Sequence, residues 1–313
     1  MKKMIGAITA ACLLMSGSSV YAAVPDKVYM ENVEVPNAAP VLKDGRVLVP
    51  LRTLANSIHA SVSWDGKTQT ATVRKWSEKV VIPLDKNAAV VKQGDGSTKI
   101  KLDVPMQRIH NQMYVPLRLW SEWLGYRLEV KGTTVSFQSP LSPMQLEVLN
   151  SGDLADARRM MLDMNSRLHY EHEALSSEHT SEGFSTIFLF PQGVGTRYYV
   201  ISDNLVSRIE LKGGMQIVTW QAHISPGVRP VEELFAQQKF TDATGPLPWK
   251  DTTYFYYREG SIVNINTYTA GRLDPDGKLN KLAYKLTQDG EIREQSGTLT
   301  LKLPDEVRTD VKK

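Results

Sequence analysis

One short string occurs twice in this chain of 313 residues. The stretch DGRVLVPLRTLANSIHASVSWD begins at Asp44, and HNQMYVPLRLWSEWLGYRLEV begins at His110, so the string V-P-L-R recurs after about 66 residues. Recurrence of this kind indicates a supersecondary unit used more than once, because one short unit cannot bury its own apolar face. The two copies are therefore expected to pack together around a shared core.

Each copy has the pattern of a strand, a short helix and a hairpin. In the first copy RVLVP alternates as a strand, and Pro50 suits the strand end and the helix start because it lacks an N–H. LRTLANSI then places Leu51, Leu54 and Ile58 at helical spacing. SVSWD and TATVRK then form the hairpin around Asp65 and Gly66. The second copy repeats this order, with Leu117, Trp120 and Leu124 on the inward face of its helix. Gly125 ends this helix, whereas His59 occupies the corresponding place in the first copy.

The doubled motif resembles the copper amine oxidase N-terminal-like domain, also called the stalk domain, which is common in secreted proteins of Gram-positive, spore-forming bacteria. The resemblance covers residues 27–139. It implies a non-catalytic module that carries neither copper nor quinone and is attached to another domain at the cell surface. We interpret His59 as a tolerated substitution for the family's glycine, and we assign structural roles to Gly45, Pro50, Arg52, Trp64, Pro116, Arg118 and Gly125.

Two of these motif residues have an alternative role. Arg52 and Arg118 occupy equivalent places in the two copies, so they could form a pair of anion-binding sites, for instance for a cell-wall polymer. The structural interpretation is that each guanidinium bonds to neighbouring backbone or carboxylates while its aliphatic stem packs against the module. Motif arginines in an otherwise apolar unit favour this second interpretation.

The first 22 residues have the features of a secretory signal peptide. Lys2 and Lys3 precede a short apolar run, and Ala22 ends a stretch of small residues at which cleavage is expected. A lipoprotein anchored through Cys12 is the alternative, although the apolar segment before it is very short. Cys12 is the only cysteine, so the mature protein would have no disulfide and no thiol chemistry.

Composition excludes several classes of function. Without Lys2 and Lys3, 35 basic residues face 34 acidic ones, and this balance is not typical of a nucleic-acid-binding protein. After signal cleavage no second hydrophobic segment is long enough to span a membrane. The strings that a quinone-forming copper oxidase requires are absent, as are nucleophile-elbow and phosphate-loop motifs. We therefore expect no enzymatic activity and no cofactor.

The second part of the chain has a different pattern. Two prolines and two serines at residues 138–145 indicate a boundary, so we predict a linker at 140–146 and a second domain at 147–313. Ser151 or Asp153 can cap a long helix through Leu168, and alternating strands follow as far as SGTLTLKLP, with a short helix at 231–240. The predicted fold is α+β, with a pseudo-twofold domain of two β-α-β-hairpin repeats followed by a long helix packed on a curved antiparallel sheet.

Two groups of residues in the second domain are candidate site residues. The segment LHYEHEALSSEH would place metal-ligating side chains on one helix face, although a solvated helix end is the simpler interpretation. The aromatic strands could supply a stacking platform or simply a core. The weak metal candidates are His169, His172, Glu173 and His179. The candidate ligand contacts are Trp220, Tyr254 and Tyr256.

These features predict a secreted, non-catalytic protein of the Gram-positive envelope. A stalk-like adaptor domain would present a β-rich domain that binds a cell-wall polymer or another envelope protein. The first alternative is a carrier or sensor of an apolar ligand, since the order of elements resembles the half-barrel of lipoprotein carriers. The second alternative is a wall-directed hydrolase, because a pair of catalytic carboxylates cannot be identified from sequence.

Overall fold

The computed structural model describes residues 25–164, 167–178, 183–225, 231, 240–246 and 252–311. About half of these residues lie in β-strands, and four α-helices are described. The fold is therefore α+β or mainly β, which agrees with the predicted class at this level. In the described ranges no helix is long and apolar enough to cross a membrane. The predicted signal peptide and most of the predicted helix at 231–240 lie outside the described residues.

The N-terminal part forms three small sheets and two short helices. Both copies of the repeated segment contain the predicted strand, helix and hairpin in that order. The elements are β1 (Lys27–Met30), β2 (Val33–Glu34), β3 (Val41–Lys43), β4 (Arg46–Pro50), α1 (Leu51–Ser57), β5 (Ser61–Asp65), β6 (Thr70–Lys75), β7 (Glu78–Pro83), β8 (Ala88–Gln93), β9 (Gly96–Lys101), β10 (Gln107–Ile109), β11 (Gln112–Pro116), α2 (Arg118–Leu124), β12 (Arg127–Lys131) and β13 (Thr134–Gln138).

The two V-P-L-R strings meet in the middle of one sheet. Strands β4 and β11 pair antiparallel, and Val49 of the first string lies opposite Val115, its own counterpart in the second. The strand order of this sheet is β10-β11-β4-β3, while β5 to β9 form a five-stranded meander. β1 pairs in parallel with β13, so the two ends of the N-terminal part are joined in a third sheet.

The helices of the two copies contribute to one apolar core. Leu51 and Leu54 of α1, and Trp120 and Leu124 of α2, are all at most 1% exposed and belong to the same cluster. The helical spacing in the sequence predicted these inward positions because residues three and four apart share a helix face. Burial of side chains of this size contributes about 1.5–3 kcal/mol each, which explains why so short a helix is stable here.

The predicted linker is packed against the rest of the chain. Leu141 is buried in a core cluster of the C-terminal part. Ser142 then caps α3 (Pro143–Ser151), forming a capping box with Gln145. α4 (Leu154–Asp163) follows, with Asp153 as its N-cap. The predicted helix thus begins at one of its two predicted caps, Asp153, but it ends at Asp163 and does not reach Leu168. The preceding helix α3 was not predicted, and Gly152 in extended conformation separates the two helices.

The C-terminal part is built on one large sheet. Its order is β14-β18-β17-β16-β15-β20-β21-β22-β23, and β19 pairs with β18 at one edge. Register shifts in three strand pairs indicate bulges, which increase local twist. The strands are β14 (His169–Tyr170), β15 (Phe184–Pro191), β16 (Arg197–Ser202), β17 (Leu205–Lys212), β18 (Met215–Ile224), β19 (Phe240–Thr241), β20 (Tyr254–Ile262), β21 (Ile265–Leu273), β22 (Leu279–Gln288) and β23 (Glu291–Ser296).

The C-terminal segment, residues 297–311, has no regular secondary structure but is firmly attached. Glu306 accepts hydrogen bonds from the buried guanidinium of Arg158 at 2.7 and 2.9 Å. Arg308 donates to carbonyl oxygens at the C-terminal end of α3. Asp310 accepts from the backbone N–H groups of residues 195 and 196. The segment therefore ties α3 and α4 to the sheet.

Candidate functional site

A cleft of about 350 Å³ lies between α4 and strands β20 to β22, and we call it the α4 cleft. Arg159 and Asp163 line it from the helix. On the sheet side, Glu259 lies opposite Tyr268, and Tyr268 lies opposite Lys285, so these three side chains form a row across three strands. The antiparallel register creates this row, since directly opposite residues project from the same face.

The α4 cleft combines charge with aromatic surface. Arg159 and Lys285 balance Asp163 and Glu259, so its lining has no net charge. The Lys285 ammonium lies 5.0 Å from the centroid of the Tyr268 ring, within the range of a cation–π contact. Burial raises the pKa of a further lining residue, the phenol of Tyr257, and this keeps its hydroxyl protonated. Such a lining suits a polar ligand of low net charge that can stack on an aromatic ring.

The motif residues of the N-terminal part occupy turns and two surface grooves. Gly45 and Gly125 have φ of +70° and +73°, a conformation that glycine adopts without strain. Arg118 donates hydrogen bonds to the carboxylates of Asp103 and Glu122, and the bond that it donates to Asp103 raises the pKa of Arg118. Arg52 is exposed and lines a groove of about 410 Å³ that also contains Trp64; we call it the Trp64 groove.

The N-terminal and C-terminal parts meet at a buried carboxylate. Glu78 is 1% exposed and accepts a 2.8 Å hydrogen bond from the indole N–H of Trp123. His169 Nδ1 also lies 2.8 Å from this carboxylate, and the Arg167 guanidinium lies 3.3 Å from it. The His169 ring further contacts Trp76 with 4.9 Å between centroids. These contacts join β7 and α2 to β14 and to the segment just before it.

The candidate metal ligands do not converge. His169 is engaged with Glu78, and His172 Nδ1 bonds to the carbonyl oxygen of Glu173, while His179 lies outside the described residues. In the described ranges no three His, Cys, Asp or Glu side chains are grouped as a metal site would require. The prediction of a helix that would align these side chains is wrong, because His169 and Tyr170 form a short strand that pairs with β18.

The candidate ligand-contact aromatics lie in the interior. Trp220, Tyr254 and Tyr256 are 2%, 2% and 4% exposed and belong to one apolar cluster on the sheet. The Trp220 indole donates to the carbonyl oxygen of Gly245 at 3.1 Å. In the described structure their rings are packed against protein, so they do not offer a stacking platform. Their positions fit the alternative in which the aromatic strands form a core.

Sequence reasoning missed most of the α4 cleft. Tyr257 and Glu259 share one strand, but no local pattern connects them with Tyr268 and Lys285, which lie on later strands. The available signal was the two-residue spacing of Tyr257 and Glu259 along β20, which places both on one face of that strand. Their alignment depends on strand register and on the placement of α4, and neither can be read from local pattern.

Comparison with known proteins adds information about the N-terminal part only. No curated protein and no solved structure matches the chain. The family of the copper amine oxidase N-terminal domain matches residues 28–138, while the remainder of the chain matches no family. This domain is the non-catalytic part of copper amine oxidases, and the family suggests a stalk-like module. The resemblance predicted from the two V-P-L-R strings is thus confirmed: residues 28–138 match the copper amine oxidase N-terminal domain family.

Proposed function

We propose that this chain is a secreted, non-catalytic protein of the Gram-positive cell envelope in which the stalk-like module presents a ligand-binding C-terminal domain. The observation that carries this proposal is the row of Glu259, Tyr268 and Lys285 facing Arg159 and Asp163 across the α4 cleft. The row pairs charged groups with an aromatic ring, as binding sites for saccharides or peptides do. The proposed ligand is a polar segment of a cell-wall polymer.

The division into two domains is part of the same proposal. We place the stalk domain at 27–139, the connection at 140–146 and the binding domain at 147–313. The pairing of Val49 with Val115 supports a pseudo-twofold arrangement of the two repeats. The Glu78 contacts, together with Met215 and Ile217 of β18 in the N-terminal core, support a fixed junction between the domains.

The first test is co-sedimentation of the mature chain with purified Gram-positive cell walls. We expect the chain to pellet with walls, and Lys285→Gln to pellet less, because this lysine belongs to the row. Lys281→Gln is the matched control, since Lys281 lies on the same strand, is exposed and does not line the cleft. The proposal would be contradicted if both variants lost pelleting alike, or if the parent chain did not pellet with the walls.

A wall-directed hydrolase is the second candidate, because Asp163 and Glu259 are two carboxylates lining one cleft. Hydrolysis of a glycosidic bond uses such a pair as acid and as base or nucleophile. The two functions are separated by incubating the mature chain with the same walls and measuring soluble reducing ends. Release that disappears in Glu259→Gln would establish the hydrolase. Native mass spectrometry tests the other alternative, a carrier or sensor of an apolar ligand, since a co-purified lipid would indicate it.

A further inference from the structure

The N-terminal module has two grooves at corresponding positions of its two repeats. The Trp64 groove is lined by Arg52 of α1 and by residues 111–113 at the start of β11. A second groove of about 420 Å³, the Arg118 groove, is lined by Arg118 of α2 and by residues 45–47 at the start of β4. Each groove therefore combines the helix of one repeat with the strand of the other. The chain thus provides an internal comparison between two versions of one site.

The Arg118 groove is neutralised by its own side chains. Arg118 donates to Asp103 at 3.0 Å and to Glu122 at 3.2 Å. The guanidinium of Arg46 lies 3.7 Å from the same Asp103 carboxylate. Two arginines thus face two carboxylates, and the groove carries no net charge. An external anion would have to compete with carboxylates already held by the protein.

The Trp64 groove lacks this internal compensation. The position of Glu122 is occupied by Asn56, and that of Arg46 by Gln112, so amides replace charged groups. Arg52 makes no hydrogen bond or ion pair among the described residues. Arg108 lies over the Trp64 ring, with 5.4 Å to the centroid. The two arginines give this groove a charge of +2, and its lining contains no acidic residue.

We propose that the Trp64 groove binds an acidic saccharide, whose negative charge a carboxylate or a phosphate could supply. Arg52 and Arg108 would pair with the anionic group, since guanidinium forms bidentate bonds to both kinds. The indole of Trp64 and the side chain of Met113 provide apolar surface for a sugar ring, and the amides of Asn56 and Gln112 can bond to hydroxyls. A volume of about 410 Å³ lies within the usual range for small-molecule sites.

This inference goes beyond the function proposed for the C-terminal domain and does not depend on it. The α4 cleft has balanced charge and contains residues of the second domain only. The Trp64 groove is positively charged and belongs to the stalk module, for which the family resemblance implied no ligand. The inference rests on the difference between Arg52 and Arg118, since a purely structural role would predict similar partners for both arginines.

The test is calorimetric titration of the full mature chain with defined tetrasaccharides. The probes are tetragalacturonate, a phosphorylated maltotetraose, unmodified maltotetraose and the peptide tetraglutamate. We expect at least one acidic tetrasaccharide to bind, with affinity that falls as salt is added. Arg52→Gln is expected to weaken binding by about tenfold, because a charge-assisted hydrogen bond is lost. Arg118→Gln, the matched control, is expected to leave the affinity unchanged.

A second variant tests whether the Trp64 groove can bind an anion because it has no acidic residue at position 56. Asn56→Glu reproduces in the first repeat the Arg118–Glu122 pair of the second, four residues apart on the helix. It is expected to neutralise Arg52 and to weaken acidic saccharide binding about as much as Arg52→Gln. The proposal would be overturned if unmodified maltotetraose bound as tightly as the acidic tetrasaccharides, or if tetraglutamate bound more tightly than they do. It would also be overturned if the Arg52 and Arg118 variants lost affinity equally, or if neither acidic tetrasaccharide bound.

Discussion

The buried guanidinium of Arg158 provides the sharpest test of how the C-terminal domain is held together. Arg158 is 0% exposed and lies between the rings of Phe190 and Phe255, at 5.1 and 4.9 Å from their centroids. It donates to both oxygens of Glu306 and to three backbone carbonyl oxygens. In Arg158→Met an apolar chain of similar length replaces it. The variant leaves the Glu306 carboxylate buried without a counter-charge.

The expected cost follows from this geometry. Removing one partner of a buried ion pair costs about 3–5 kcal/mol, because the remaining charge is neither solvated nor paired. Glu306 keeps the backbone N–H bonds of Gly193 and Leu303, which offset part of that penalty. We therefore expect Arg158→Met to lower the free energy of unfolding by about 4 kcal/mol. The double variant Arg158→Met/Glu306→Gln is expected to recover part of the loss, since no buried charge remains.

Equilibrium unfolding in urea, followed by circular dichroism and tryptophan fluorescence, measures this difference. Lys302→Met is the matched control, because Lys302 pairs with Asp153 at 2.8 Å in an exposed pair. An exposed pair contributes about 0–1 kcal/mol, so the control should stay close to the parent. If Arg158→Met lost less than about 1 kcal/mol, or if the double variant were no more stable than the single one, the reasoning from a buried ion pair would be refuted.

Four further outcomes are expected. Glu78→Ala should lower the free energy of unfolding by about 3 kcal/mol, because it leaves a buried indole N–H without an acceptor; a change below about 1 kcal/mol in urea unfolding would contradict this. Gly125→Ala should lower the free energy of unfolding by about 1–2 kcal/mol, since a residue with a Cβ is strained at φ +73°. His59→Gly, at φ +57°, should change it less, because the relieved strain is offset by the greater entropy of glycine in the unfolded chain. Equal effects of the two substitutions would refute this comparison. Burial acts to raise the pKa of Asp310, but the hydrogen bonds that its carboxylate accepts outweigh burial and lower the pKa. Asp310 therefore stabilises the fold above its unfolded pKa of about 3.9, and this stabilisation is lost as pH falls through the folded value. Asp310→Asn should flatten the acid limb of a stability–pH curve. Burial raises the pKa of Tyr126 to about 12. The neutral phenol therefore stabilises the fold fully below its unfolded pKa of about 10, and this stabilisation is lost as pH rises through the folded value. Tyr126→Phe should reduce the loss of stability at alkaline pH, and an unchanged alkaline limb would contradict the assignment.

The N-terminal part was the more predictable half, for reasons visible in individual residues. Alternation and helical spacing placed Leu51, Leu54 and Trp120 in the core, and structure puts them there. His59 adopts the left-handed conformation that Gly125 adopts in the other copy, as the motif alignment indicated. Short-range pattern succeeds here because turns and helix ends depend on neighbouring residues, and because the repeat states each feature twice.

The C-terminal part shows where local pattern fails. SGTLTLKLP alternates like a strand, yet residues 297–304 form none, and the preceding EIREQS forms β23 instead. The segment 297–311 is held by Glu306, Arg308 and Asp310, whose partners lie far away in sequence. The segment at His169 was expected in a helix, but pairing with β18 made it a strand. In each case a distant partner satisfied backbone or side-chain groups and outweighed local propensity.

The sequence by itself determined the repeated unit, its helix faces and turns, and the family of residues 28–138, because these depend on spacing within a few residues. Only the tertiary structure decided the sites. It aligned Glu259, Tyr268 and Lys285 through strand register, buried Glu78 between the two parts, and placed the carboxylate of Asp103 beside Arg118. The physical reason is that charge balance and burial are properties of groups brought together from distant positions, and identical strings such as V-P-L-R carry no information about those neighbours.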